Sequence, residues 1–558
     1  MTCNENPEQT SEKIDVKMPF WRRPAIILLL ILLLAAFLRL VKPGQSPPGL
    51  NQDEAVHIWN AWCLLKMGKD QTGVSWPIFY FRTIGSNNTP LYIYALIPFL
   101  AVGGLSIWTA RLLSAVAGIA CIPVIYYVGS RLFNRNVGLM AALLLALNPW
   151  HLHLSRWAIE PGISPLISII PLAMLLWPNM PISDDKERVP RPLIAVLAGV
   201  ITGICCYGYW AVLFFIPVCL ALIVIVNLPA YRDSVRTRTG VLVIMAFFIS
   251  FAAIFSPLAW QYIFHPEGIA RHAADKYWLG PGPLPIAIKD FVVRYLQHFS
   301  PSFLFVRPII NPIHSSPILF HWYMLPIMFL GLIVLVRNFL SSGSARVLFV
   351  SLFAYPLGDL IIGPPNALRS SPGLCSLVLL AAVGAVSTGK WLWQKNRKTA
   401  ISAFVAFAVA VVGLNAKYLS YFYGAYNLRP AIYHFYHTDL VEACRWLKPR
   451  INEFDAVFCT TTFMNMPYIV TLVALDYDPH KWLEEPRACF TEGEFDYYFF
   501  YGKMHFMYDK PFIPTLNKLP AGAKILAIVR PGEFGLKNPI HQIYRPYDGE
   551  PSLWICQP

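Results

Sequence analysis

Recurring apolar runs decide what this chain can fold into. The first, 24–41, is long enough to cross a bilayer at about 1.5 Å per residue. Comparable runs follow at 108–128, 137–150, 162–177, 193–208, 211–228, 240–263, 318–336, 347–363, 372–389 and 399–415. Only 14% of the 558 residues are charged and 56% are hydrophobic, whereas a soluble domain carries about 25% charged residues. The fold class expected is a polytopic α-helical membrane protein of about eleven spans. A soluble protein with a large core is excluded by the length of the runs. The run after Arg22 and Arg23 exceeds a signal-peptide h-region and reads as an uncleaved first span.

The net charge of +14 is explained by topology, not by nucleic acid. Lys13, Lys17, Arg22 and Arg23 precede the first span. Arg131 and Arg135, then Lys186, Arg188 and Arg191, then Arg232, Arg236 and Arg238, occupy alternate short loops. Arg337, Arg346, Lys390, Lys395, Arg397 and Lys398 continue the pattern. All fall on the N-terminal side, so the positive-inside rule puts the N-terminus in the cytoplasm. That order holds only if the short apolar segment 89–102 does not cross. Its aromatics and two prolines suit a helix lying in the outer interface.

The reading divides the chain into a cytoplasmic tail, 1–23, a membrane domain, 24–419, and an extracytoplasmic domain, 420–558. Loops 42–107 and 264–317 share the outer side with the last domain. After 420 the composition turns polar and no spanning run remains. There, 438–447 has the period of an amphipathic helix, and 455–462, 497–501 and 524–529 read as strands of a small α/β domain. Cys444, Cys459, Cys489 and Cys556 lie in it, either as disulfides or as free buried thiols. No P-loop and no Gly-rich dinucleotide fingerprint is present.

Four polar clusters fall on the outer side. Asp53 and Glu54, with His57, follow the first span. His151, His153, Arg156 and Glu160 crowd the outer end of another, where Arg156 and Glu160 stand at i, i+4 spacing and can pair on a helix. His265, Glu267 and Arg271 open the long loop. Arg369 lies in Asn366-Ala-Leu-Arg-Ser, at the end of a late span. Each alone reads equally as a snorkelling or capping group, but acids and arginines recurring at one membrane level suit a site for a charged substrate. A sugar on a lipid phosphate is already activated. Its transfer needs a carboxylate to take the acceptor hydroxyl proton and cations near the departing phosphate. Arginine binds phosphate bidentately, and a divalent cation on oxygen ligands serves the same end.

The order of these motifs resembles a known family. Asp53-Glu54 is followed by Thr-Pro-Leu-Tyr at 89–92, Ala-Arg-Leu-Leu-Ser at 110–114 and Arg-Leu-Phe-Asn-Arg at 131–135. Asn-Pro-Trp-His-Leu-His-Leu-Ser-Arg-Trp-Ala-Ile-Glu at 148–160 and Asn-Ala-Leu-Arg-Ser at 366–370 complete the series. Over about 20–430 the chain resembles the GT-C glycosyltransferases, in the branch of protein mannosyltransferases and aminoarabinose lipid A transferases. The resemblance implies a polyprenyl-phosphate sugar donor, inverting transfer that is metal-independent or loosely metal-assisted, and a site facing the periplasm or lumen, as in a bacterial inner membrane. It implies that Asp53 is the acid-base residue, with Glu54 beside it and Glu160 as a second acid. Arg369 resembles an arginine that contacts donor phosphate. Arg156, Arg271, His57 and His153 are further candidates for donor or substrate binding. No MIR-type repeat domain fits in loop 264–317, so the acceptor stays open among lipid, glycan and protein. A lipid-linked sugar flippase or transporter is the competing class, but it favours repeated halves and midplane charges. A non-enzymatic assembly or sensing protein would favour a degenerate site.

Overall fold

The structure, a computed structural model, describes residues 24–84, 87–176, 192–229, 235–265, 284–306, 318–360, 364–492, 495–508, 519–520 and 522–558. The membrane domain opens with α1 (Pro24–Leu40) and α2 (Gln52–Met67), then a short hairpin of β1 (Phe81–Arg82) and β2 (Asn87–Asn88). Next come α3 (Pro90–Gly103), α4 (Ile107–Leu132), α5 (Arg135–Leu147), α6 (Pro149–Leu154) and α7 (Ser164–Leu175). Then follow α8 (Pro192–Cys205), α9 (Trp210–Val226), α10 (Arg238–Phe264) and α11 (Leu284–Gln297). The last part holds α12 (Met324–Asn338), α13 (Gly343–Ala354), α14 (Leu357–Leu360), α15 (Leu374–Lys395) and α16 (Arg397–Tyr423).

The described residues of each expected span lie largely on helix, although 318–323 do not and 177 and 361–363 lie outside the described residues. Among the described residues, four stretches are long and apolar enough to cross a membrane: Ile107–Leu132, Arg238–Phe264, Ser371–Lys395 and Arg397–Tyr423. The other apolar helices are shorter. At about 1.5 Å per residue, the 12 residues of α7 reach well under the roughly 30 Å of a hydrocarbon core. Eleven full spans are therefore not established. The run 347–363 also divides, because Pro356 separates α13 from α14. Segment 89–102 is the 14-residue α3, with Pro90 at its start and Pro98 inside.

The long helices differ in what they face. α4 and α15 lie mostly inside the domain. α10 and α16 leave Leu242, Met245, Ile249, Phe404, Val405 and Val412 exposed, a greasy outer surface suited to lipid. α12 and α15 cross closely through glycines: a Cβ on Gly384 would lie 1.8 Å from the Ile327 carbonyl oxygen, so only small residues fit there.

After α16 the chain forms the expected α/β unit. α17 (Pro430–Phe435), α18 (Thr438–Leu447) and α19 (Pro467–Ala474) pack with a seven-stranded mixed sheet. In sequence the strands are β3 (Ala456–Thr460), β4 (Arg487–Glu492), β5 (Phe495–Tyr501), β6 (Met504–Met507), β7 (Ile525–Val529), β8 (Pro539–Tyr544) and β9 (Pro551–Cys556). In space the order is β4-β5-β6-β3-β7-β9-β8. Central β3 runs parallel to β6 and β7, and the remaining pairs are antiparallel. Cys444, Cys459, Cys489 and Cys556 are free thiols. The domain braces the loop that carries the outer acids: Leu50 N–H donates to the Tyr436 carbonyl at 2.6 Å, and Trp482 Nε1–H donates to the Gln71 carbonyl at 2.8 Å.

Candidate active site

The outer acids stand at the first turn of α2, and the local sequence explains how they are held. Gly49 has φ +62°, and a Cβ there would lie 2.2 Å from the Tyr436 carbonyl oxygen. Only glycine makes that turn in that space. Asn51 then caps the helix, its side chain accepting from Asp53 N–H at 2.8 Å. Glu54 closes a capping box by accepting from Asn51 N–H at 3.3 Å. Both carboxylates thus sit at the positive end of the helix dipole.

One residue of helical rotation gives the two acids different fates. Glu54 is fully buried against α4, where Arg111 Nε and Nη2 each donate to it at 2.7 Å. Ala158 N–H adds a third bond at 3.0 Å. The remaining Arg111 donors reach the carbonyls of Pro43, Pro47 and Gly49. Glu54, named with Asp53 in the candidate catalytic set, is thus held in a buried ion pair with Arg111, which ties loop 43–49 to α4. Asp53 points the other way. It is only partly buried, and among the described residues nothing donates a hydrogen bond to its carboxylate. Burial pushes its pKa up to about 6, opposed by His57 and assisted by Glu54 and Glu160.

His57, one turn further along α2, links Asp53 to Glu160. Its Nδ1–H donates to the Asp53 carbonyl at 2.5 Å. Its Nε2 lies 3.0 Å from the Asn88 side-chain amide and 3.9 Å from Glu160 Oε1, and its ring meets Tyr92 edge-on. Burial disfavours charge on His57, but the Glu160 carboxylate and the Asp53 carbonyl outweigh it and raise the pKa. Glu160 is itself engaged: Thr89, at the start of α3, donates to its Oε1 from both N–H, at 2.5 Å, and Oγ1, at 2.8 Å. α3 therefore belongs to the site by what it delivers, whether or not it crosses. The wall beyond is aromatic. Trp210 Nε1–H donates to the Asn87 carbonyl at 3.0 Å and its ring packs on Tyr262 at 4.5 Å. Tyr209 lies within electrostatic reach of both Glu160 and Arg369.

Arg369 is held in a second polar cluster. Asp359 on α14, fully buried, accepts from Arg369 Nε at 2.5 Å, His298 Nε2 at 3.0 Å, Ser370 Oγ at 2.8 Å and Asn366 N–H at 2.7 Å. Arg369 Nη2 donates to the Pro364 carbonyl at 3.0 Å, and the side chain keeps 22% of its surface open. Asp359, His298 and Tyr209 were not singled out from sequence, and Arg111 stood only inside the 110–114 motif. Asp359 carried a usable signal, being an acid inside an otherwise apolar run.

The 148–160 cluster separates. Helix α6 stops at Leu154, so Arg156 and Glu160 do not share a helical face and do not pair. Arg156 instead donates to four carbonyls, those of Leu38, Arg39, Lys42 and Ser46, and pins the outer end of α1. The His153 ring makes no hydrogen bond among the described residues and is boxed by Trp157, Phe422 and Tyr426. His151 Nδ1 is 2.7 Å from Arg39 Nη2. Arg156 and His153 are thus buried among protein groups and stand apart from the Asp53 cluster. Arg271 and Glu267 lie outside the described residues. Among the described residues no three His, Cys, Asp or Glu side chains converge as metal ligands.

Residues 97–265 match the family model for dolichyl-phosphate-mannose-protein mannosyltransferase. No curated protein matches by sequence. Among solved structures, ArnT from Cupriavidus metallidurans bound to undecaprenyl phosphate superposes with a TM-score of 0.52 at 14% identity, covering 95% of this chain and 97% of that one. Its apo state gives a TM-score of 0.50 at 14% identity over the same shares. The apo oligosaccharyltransferase of Archaeoglobus fulgidus gives 0.50 at 13% identity, covering 82% of this chain and 64% of that one. At these identities the likeness is one of fold, and it runs through both the membrane domain and the sheet domain.

Proposed function

We propose that this chain, a membrane glycosyltransferase of the GT-C fold, moves a sugar from a polyprenyl-phosphate donor to a hydroxyl of a lipid, glycan or protein acceptor, with Asp53 as the base. The observation that carries the assignment is the contrast among three neighbouring acids. Glu54 is locked to Arg111 and Glu160 is engaged by Thr89, while the Asp53 carboxylate accepts no hydrogen bond among the described residues. A carboxyl at about pH 6 is ionised at neutral pH and more basic than an ordinary aspartate, as a general base requires.

The acceptor oxygen attacks the anomeric carbon on the face opposite the lipid phosphate. As that bond forms, the acceptor proton passes to Asp53. The bond from the anomeric carbon to the phosphate oxygen breaks and its electron pair leaves with the phosphate. The products are an inverted glycoside and polyprenyl phosphate. Arg369, oriented by Asp359 and partly open, is suited to the charge that grows on the leaving oxygen. His57 keeps Asp53 and Glu160 in register from the middle of the cluster. The site is read as facing the outer side of the membrane, which in a bacterium is the periplasmic side.

The test is transfer by the purified protein in vesicles, offered a panel of polyprenyl-phosphate sugars, with the product anomer read by NMR. Inverted product from at least one donor is expected, and removal of a general base lowers the rate by about 10²- to 10⁴-fold in Asp53→Asn. Movement of the lipid-linked sugar across the bilayer without any transfer would replace the enzymatic reading by a flippase.

A further inference from the structure

The turn at 68–79, between α2 and the β1–β2 hairpin, carries an apolar tip that the proposed chemistry leaves unused. Val74, Trp76 and Ile78 are 53%, 53% and 65% exposed, and large apolar residues gathered at a surface mark a place that a partner or a membrane covers. The tip is firmly built. Asp70, itself buried, accepts from Thr72 N–H and Oγ1, each at 2.8 Å, and from Val74 N–H at 2.9 Å. Asp70 N–H donates in turn to the Val74 carbonyl at 2.9 Å. Trp76 stacks on Tyr94 of α3, with centroids 6.1 Å apart and planes 9° from parallel. The Tyr94 hydroxyl donates to the Pro77 carbonyl at 2.8 Å. The Trp482–Gln71 bond ties the same turn to the sheet domain.

The place of the tip says what covers it. The Phe79 carbonyl accepts from the Tyr262 hydroxyl at 3.3 Å. Tyr262 stands in the last turn of α10, one of the four stretches long and apolar enough to cross a membrane. That end of α10 also leaves Trp260, Ile263 and Phe264 exposed. The tip thus lies level with the point where α10 leaves the hydrocarbon, and it continues the lipid-facing end of that helix. Tryptophan is enriched at this depth.

Two cations accompany the apolar residues. Lys69 faces Ser75 across an antiparallel bridge, directly beside the tip. Lys66, three residues earlier near the end of α2, lies with its Nζ 4.4 Å from the centre of the Trp62 ring. Both lysines are exposed, and among the described residues neither pairs with a carboxylate. Lysines next to exposed apolar side chains match an anionic headgroup above its acyl chains. We propose that the 68–79 turn is a membrane anchor, seating Val74, Trp76 and Ile78 in one leaflet while Lys66 and Lys69 bind an anionic phospholipid there. By the charge rule it is the outer leaflet. The anchor does not rest on the glycosyl-transfer reading. α2 runs from Asp53 to this turn, so the depth at which the turn seats sets the height of Asp53 over the lipid.

Photolabelling of the full chain tests this in nanodiscs of equal parts phosphatidylcholine and phosphatidylglycerol. A diazirine is placed high on the acyl chain of one lipid or the other, and adducts are mapped by mass spectrometry. Adducts are expected on residues 70–82 as well as on the end of α10, and those on 70–82 come severalfold more from phosphatidylglycerol. The double substitution Val74→Ser with Ile78→Ser, and Trp76→Ser alone, should each lose most adducts on 70–82 and keep those on α10. The Val74 and Ile78 side chains are exposed, so their loss leaves the bonds of the turn in place, and the α10 adducts report that the chain stays inserted. Lys66→Gln with Lys69→Gln should abolish the preference for phosphatidylglycerol, each lysine near an anionic surface being worth about fivefold. Labelling of α10 without labelling of 70–82, adducts indifferent to the apolar substitutions, or equal labelling of 70–82 by both lipids would overturn the proposal.

Discussion

Replacing the proposed base should make the protein more stable as well as inactive. Asp53 has its carboxyl pushed from 3.8 to about 6 by burial. Between those values the folded protein holds a proton that the unfolded chain has released, so folding stability falls as pH rises through that window. Below about pH 4 both states are protonated and no penalty exists. Above about pH 6 the penalty is complete, and about 2 pKa units at about 1.4 kcal/mol each make it roughly 3 kcal/mol. Asparagine cannot ionise and escapes the penalty. Asp53→Asn should therefore unfold at higher temperature than wild type at pH 8, by an amount equivalent to roughly 3 kcal/mol, and the gap should close as pH falls toward 4. Thermal unfolding in detergent at several pH values reads this directly. An equal or lower stability at pH 8, or a gap that widens at low pH, would refute an Asp53 carboxylate held ionised at a cost.

Other substitutions separate the roles of the neighbours. Glu54→Gln should act as a folding mutation: uncovering a buried Arg111 costs about 3–5 kcal/mol, seen as lost expression or a lower unfolding temperature. A double replacement of Glu54 and Arg111 by Leu and Met should recover much of it, and failure to recover would point to a further role for Glu54. Arg369→Ala should raise the KM for polyprenyl-phosphate sugar, and Asp359→Asn should shift it the same way by releasing Arg369. An unchanged donor requirement in both would remove Arg369 from the phosphate site.

The sequence made the helices legible because an apolar run of span length has few alternatives, and the described residues of each expected span lie largely on helix. Span number was not legible in the same way, since length sufficient in sequence is cut by local breaks such as Pro356 and the Asn148-Pro149 cap. In the sheet domain the buried apolar strands β3 and β7 stood out. Edge strands such as β4, Arg-Ala-Cys-Phe-Thr-Glu, mix charge and apolar residues and offered no clear period. At the site, sequence showed two adjacent acids and no way to tell their partners. Their separation depends on Arg111, 57 positions away. The i, i+4 spacing of Arg156 and Glu160 misled because the helix it presupposes ends first. His57 and Glu160 were legible as candidates, but the Thr89 contact that joins α3 to them is a matter of three-dimensional packing.

The central claim is that the Asp53 carboxylate takes the acceptor proton. It is tested most directly by the pH dependence of transfer in a single turnover, with a donor that the protein accepts. The rate should rise tenfold per pH unit below about 6 and level off above it, and in Asp53→Asn the plateau should fall by about 10²- to 10⁴-fold and the pH dependence disappear. A rate that is flat from pH 5 to 8, or an Asp53→Asn variant that transfers as fast as wild type, would contradict the account.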